Sequence, residues 1–129
     1  MTAQDTAGAA EELLARAYAA YNQQDLDGLL ALVSDEVDWP DGSHRLRGRA
    51  AVTAYWTQQW TRVRTHDRPV RFTHRPDGTV TVRISQVVRS LAGEVISTGS
   101  FDHLHHIEDS RIVRLDIQDA ASGSDPGGD

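Results

Sequence analysis

The chain has 129 residues, 39% of them hydrophobic and 25% charged, enough for the core of one globular domain and too few for two. Its formal charge of −6 argues against nucleic acid or an anionic membrane as the main partner. The absence of cysteine excludes disulfides, zinc–thiolate sites and a cysteine nucleophile. No apolar run approaches the ~20 residues of a membrane span, and no signal-peptide pattern opens the chain, so a cytoplasmic location is expected.

Residues 1–8 are small and polar and read as a disordered N-terminus, followed by one domain over 9–119. From Ala9 to Gln23 the apolar positions Leu13, Leu14, Ala17, Tyr18 and Tyr21 fall on one helical stripe. Asp25 suits the N-cap of a second, short helix whose apolar face is Leu26, Leu29, Leu30 and Val33. "EVDWP" (36–40) reads as a short strand ended by Pro40, and "DGSHRLRG" as a loop. The cluster Arg45, Arg47 and Arg49, in and just after it, is most simply solvated, with reception of an acidic ligand at a rim as the alternative. A third helix, about Arg49 to Arg64, buries Val52, Tyr55, Trp56, Trp60 and Val63.

After Pro69 the apolar period changes to two. Strands are expected at Val70–Thr73, Val80–Arg89, Val95–Ile107 and Ile112–Gln118, with turns at "RPDG", "LAGE" and "EDSR". Residues 120–129, with the run "SGSDPGGD", form a low-complexity, disordered tail. Helices first and antiparallel strands after give the α+β class.

The stretch "DHLHH" (102–106) holds three of the six histidines. On a strand, His103 and His105 share a face with Phe101 and Ile107, and His106 points away. A two-residue turn at Ala92-Gly93 pairs Ile84 with Phe101 and Val82 with His103. That register puts Val80, Val82, Ile84, Gln86 and Val88 on the His103 face; a single bulge would bring Arg83 and Ser85 there instead. The favoured register makes an apolar cup with a few polar groups, the usual shape of a small-molecule site. In such a cup His103 and His105 are depressed in pKa and able to move a proton near neutrality, or they are buried histidines bonded to a helix. A metal held by His-x-His needs a third ligand, and Glu108 in a turn is a poor one. No metal and no cofactor are expected.

Taken together, "AYAAYNQQDLDGLLALVSDEVDWPDG" (17–42), "LRGRAAVTAYWTQQW" (46–60) and "HLHHIEDSRIVRLDI" (103–117) resemble the nuclear transport factor 2-like superfamily, and within it the bacterial SnoaL-like group. The resemblance implies a cone-shaped half-barrel, three N-terminal helices packed on a curved antiparallel sheet, an apolar cavity, and a homodimer through the sheet's outer face. The fold hosts many chemistries, so activity rests on the site. Ketosteroid isomerases, which this chain resembles in layout, carry a tyrosine, a base before proline and a strand acid where this chain has Ala17, Trp39 and His103. SnoaL-like cyclases use a histidine and an aspartate; the resemblance places these at His103 and Asp116, although alternation from Val113 turns Asp116 outward. A limonene-type epoxide hydrolase would need Arg83 inward, through a bulged register. Scytalone-type dehydratases use tyrosines and histidines over a pocket.

The expected function is therefore a cofactor-independent acid/base enzyme of cyclase, isomerase or dehydratase type, acting on a small hydrophobic carbonyl-containing or polyketide-like molecule. His103, Tyr21 and Asp116 are the candidate catalytic residues. Trp39, Tyr55, Trp56, Trp60, Gln86, Phe101 and His105 are the candidate substrate-binding residues. Asp38 and Asp41 are more simply loop carboxylates. The alternatives are a non-catalytic ligand-binding or dimerisation module, and an epoxide hydrolase.

Overall fold

The computed structural model describes residues 3–119; the expected tail at 120–129 lies outside them. Three helices, α1 (Ala3–Asn22), α2 (Leu26–Leu30) and α3 (Arg49–Trp60), pack with six strands. The strands are β1 (Val33–Asp41), β2 (His44–Arg47), β3 (Val63–His74), β4 (Val80–Ser90), β5 (Val95–Glu108) and β6 (Arg111–Asp119). They form one curved, unclosed sheet in the order β2-β1-β6-β5-β4-β3. Among the described residues no helix is long and apolar enough to cross a membrane.

The expected stripe of α1 is the buried one: Leu13, Leu14, Ala17 and Tyr18 are all nearly inaccessible, and Tyr21 packs beside them. The helix begins at Ala3 rather than Ala9, with Ala3, Gln4, Ala7, Ala9 and Ala10 favouring it against the weaker Asp5, Thr6 and Gly8. Asp25 caps α2 as expected, its carboxylate accepting the Gly28 N–H at 3.0 Å. Val33, read as the end of that helix's face, instead opens β1 at zero exposure.

Three expectations about the sheet are corrected. The sheet is mixed, since β1 runs parallel to β6 while every other neighbouring pair is antiparallel. The segment "HRLR", expected as loop, is strand β2, joined to β1 through Gly42-Ser43, with Gly42 at φ +61°. That dipeptide is a hairpin turn whose positive φ glycine tolerates and other residues resist. Strand β3 starts at Val63, seven residues before the expected Val70. It continues through Pro69 because it is the edge strand, where a missing N–H breaks no ladder, and the register shifts between Pro69 and Arg71.

The β4–β5 register is the expected one, with Val82 opposite His103 and Ile84 opposite Phe101, but the turn that sets it is different. Ser90 N–H bonds the Glu94 carbonyl at 2.8 Å, so the loop is Leu91-Ala92-Gly93, one residue longer than expected. A register shift follows at once: Arg89 pairs with Val95 and Val88 with Ser97, leaving one extra residue on β5. The two departures cancel, and the side chains return to their expected faces.

Candidate active site

A cavity of about 150 Å³ lies between the sheet and the helices. His103 and His105 of β5, Gln86 of β4, Asp67 of β3, Tyr18 and Tyr21 of α1, Tyr55, Trp56 and Gln59 of α3, and Trp39 of β1 line it with apolar side chains from β6. The aromatic wall is ordered by an edge-to-face pair, Trp39 on Trp56, with ring centroids 5.2 Å apart.

At its centre the Tyr18 hydroxyl sits 2.8 Å from His103 Nδ1 and 2.8 Å from His105 Nε2. Burial holds all three groups neutral. It pushes His103 down to about 4, against a weaker upward pull from Asp102, and drives His105 well below the ordinary imidazole range with help from His103 and His106. The Tyr18 hydroxyl is raised well above its usual value, first by burial and then by the charge of Asp67.

Asp67 is the second pole. It is 6% exposed and forms no ion pair with lysine or arginine among the described residues. It stands directly opposite Gln86, whose side-chain N–H donates to Asp67 Oδ1 at 2.9 Å. Desolvation raises its carboxyl pKa, with the Gln86 bond and His66 opposing. Its backbone is clasped by Asn22 at the end of α1: Asn22 Nδ2 donates to the Asp67 carbonyl at 2.9 Å, and the Asp67 N–H donates to Asn22 Oδ1 at 2.8 Å. Replacing Asn22 by Ala leaves two backbone groups of Asp67 without these partners and should cost ~1–3 kcal/mol, read as a lowered urea midpoint at unchanged slope.

The remaining candidates divide clearly. Trp39, Tyr55, Trp56, Gln86 and His105 line the cavity with His103 and Tyr21. The Tyr21 hydroxyl, however, is already engaged, donating to Gln59 Oε1 at 2.7 Å, and both burial and the charge of Asp67 raise its pKa. Trp60 is outside the lining and packs against Tyr21 at a centroid distance of 6.0 Å. Phe101 is also outside it; its ring covers Gly99, on the same face two residues earlier, where a Cβ would meet it at 3.2 Å.

Asp116 belongs to the opposite side of the sheet. Leu115 and Ile117 take the cavity side, and Asp116 instead accepts from Arg114 at 2.9 and 3.0 Å and from Arg45 at 3.2 Å, with His106 Nε2 at 3.3 Å. Asp38 joins this network through Arg45 at 2.7 Å and Arg114 at 3.1 Å. Arg45, read as solvated loop, is therefore structural, whereas Arg47 stays 71% exposed with a single contact to Asp38 at 3.4 Å. Arg49, like Arg45, is structural: it donates to the Leu30 carbonyl at 3.0 Å, satisfying the end of α2. Arg83 pairs with Asp102 at 2.5 Å and does not line the cavity, so the arginine that the epoxide-hydrolase alternative needed is turned away. Among the described residues no group of three or more His, Asp or Glu side chains is placed to hold a metal ion.

Tyr18 and Asp67 carry the site's geometry, and neither was singled out from the sequence. Tyr18 lay on the expected stripe, among the helix aromatics able to cover the cup, but was given no role at the histidines. Asp67 lay before the expected start of its strand, although Thr65 and Asp67 alternate with His66 and Arg68 in the period of a strand.

Acid should destabilise the fold through the buried imidazoles. Between pH 6.5 and about 4 an unfolded His103 binds a proton that the folded one refuses, so stability falls as pH falls through that window. The loss attributable to His103 is about 3 kcal/mol. Asp67, with its raised pKa, acts in the opposite sense. The measurement is therefore the difference between wild type and His103→Gln in urea unfolding at pH 7 and pH 4.5. The variant should lose less on acidification, and equal losses would contradict a buried neutral His103.

A mixed sheet covered by three helices, with titratable side chains gathered in the hollow between them, defines a small α+β pocket protein. The model of the SnoaL-like domain matches residues 14–115, and the chain belongs to that family. Among solved structures it is similar to a candidate polyketide cyclase from Sinorhizobium meliloti, at 22% identity and TM-score 0.73 over 83% of this chain and 94% of the other. It is equally similar to TerC, crystallised with polyporic acid, at 22% identity and TM-score 0.73 over 88% and 94%. A nuclear transport factor 2-like protein of unknown function from Burkholderia pseudomallei matches at 23% identity and TM-score 0.73 over 88% and 93%. At these identities the likeness is one of fold. No curated protein matches the chain.

Proposed function

We propose that the protein is a cofactor-independent acid/base enzyme acting on a small, largely apolar carbonyl compound, with His103 and Asp67 as its proton-handling pair. One observation carries this reading: the apolar cavity holds, on different strands, a buried imidazole and a buried carboxyl with no lysine or arginine partner among the described residues. Burial moves their pKa values toward each other, down for His103 and up for Asp67. Titratable groups perturbed by burial and gathered in one cavity are candidates for moving a proton.

The step is an enolisation. A proton leaves the carbon beside the carbonyl for the Asp67 carboxylate, the C–H electron pair becomes the enolate π bond, and the charge on oxygen is met at His103. Return of the proton to another carbon completes an isomerisation; alternatively the enolate carbon attacks a second carbonyl, whose π pair becomes an alkoxide that takes the proton back from Asp67, and a ring is closed. Trp39, Tyr55 and Trp56 shape the cavity, while Gln86 and Asn22 position Asp67.

Volume narrows the substrate. A cavity of about 150 Å³ holds roughly a benzene-sized molecule, so the reacting portion is a single ring or its equivalent. The test is proton exchange: single-ring ketones and 1,3-diketones in D₂O should lose α-protons faster with the protein than without it, as read by NMR. A panel that exchanges no faster than in buffer alone would remove the enzymatic reading.

A further inference from the structure

The Tyr18 hydroxyl has one hydrogen and two imidazole nitrogens at 2.8 Å. With both rings neutral, it donates to one histidine and accepts from the other. Only two arrangements exist. In the first, His105 Nε2–H donates to Tyr18 Oη, and the Tyr18 O–H donates to His103 Nδ1. In the second, His103 Nδ1–H donates to Tyr18 Oη, and the Tyr18 O–H donates to His105 Nε2.

His105 Nδ1 decides between them. That nitrogen is buried and has no hydrogen-bond partner among the described residues. The second arrangement puts the His105 proton on it and buries an orphaned N–H; the first leaves only a lone pair there. Orphaned buried N–H groups are the rarer defect, and a buried unsatisfied group costs ~1–3 kcal/mol. The first arrangement also makes both rings Nε2–H, the tautomer a free histidine side chain prefers, and lets each bond polarise the next.

We infer that Tyr18 is a positioning residue that passes a one-way hydrogen-bond relay from His105 to His103, so that His103 presents an Nε2–H donor to the cavity and selects a ligand with a carbonyl or enolate oxygen. His103 has no other hydrogen-bond partner among the described residues and lines the cavity, which leaves Nε2 available for a ligand. This deepens the acid/base reading and rests on it for the roles: His103 polarises the oxygen, and the proton goes to Asp67.

The relay is tested without turnover. Long-range ¹H–¹⁵N spectra of the unliganded protein report the tautomer of each histidine, and both His103 and His105 should be Nε2–H. Nδ1–H at both would overturn the relay. Two probes test the ligand: acetophenone, an acceptor-only ring ketone, and α-methylstyrene, its isostere with CH₂ in place of oxygen. Acetophenone should bind about tenfold more tightly, the worth of one hydrogen bond, and should move the His103 Nε2–H resonance. Equal affinities, or failure of both probes to bind, would overturn the oxygen preference.

In Tyr18→Phe the tautomers should become mixed and the tenfold preference should vanish; a tyrosine that only packs would leave both unchanged. If that variant does not fold, the wild-type spectra still decide. A protein with both rings Nε2–H and the ketone preference, yet no α-proton exchange on any ketone, would sink the enzymatic reading while leaving the relay intact.

Discussion

Asp67→Asn should lower turnover by ~10³–10⁴-fold and His103→Gln by ~10²–10³-fold, with both variants folded. These are the usual losses when a general base or a polarising group is removed. The order follows from the roles. Asparagine keeps the shape of Asp67 and can still meet the Gln86 side chain, but it cannot take a proton from carbon. Glutamine at 103 retains an N–H donor for a ketone oxygen, so part of the polarisation survives. The reverse order would make His103 the base and Asp67 an accessory. Wild-type turnover in Asp67→Asn would remove the carboxyl from the mechanism altogether. The assay is α-proton exchange on whichever single-ring ketone the wild type handles best, with circular dichroism as the control for folding.

Leu14→Ala is expected to cost ~3–5 kcal/mol, a large part of the ~5–15 kcal/mol that holds a domain of this size together. Leu14 is completely buried in α1 and belongs to the main apolar core. Its loss removes transfer free energy and leaves a hole that neighbours from several elements cannot all relax to fill. The contrast is Leu91→Ala at the β4–β5 loop, where the side chain is 55% exposed and the change should stay within ~0.5 kcal/mol. Urea midpoints measure both. Leu14 also lies one helical turn before Tyr18, on the same face. The variant should therefore loosen the grip of Tyr18 on the two histidines, visible as broadened imidazole resonances. Similar midpoint shifts for the two leucines would mean that α1 is not docked as described.

Local sequence was enough for much of the fold. The stripe of α1, the Asp25 cap, the long β5 strand and the apolar face of β4 all depend on neighbours within a few residues, and propensity and period report those directly. The parallel pairing of β1 with β6 joins residues as far apart as Val33 and Ile112, and no local pattern encodes it. Strand β3 was legible only from Val70 because Val63 and Arg64 extend the pattern of the third helix, and His66 and Arg68 read as polar connection until an edge position in the sheet accounts for them.

The site divides in the same way. Alternation along "DHLHH" by itself determined that His103 and His105 share a face and that His106 opposes them, because side chains on a strand have a period of two whatever lies around them. Alternation also turned Asp116 away from the cavity. Only the tertiary structure decided that Tyr18, and not Tyr21, meets the two imidazoles, and that Asp67 lines the same cavity. Tyr18 and Tyr21 occupy one helical stripe three residues apart. Which of them reaches β5 is set by how α1 crosses the sheet, a consequence of packing summed over the whole core that no short stretch of chain contains.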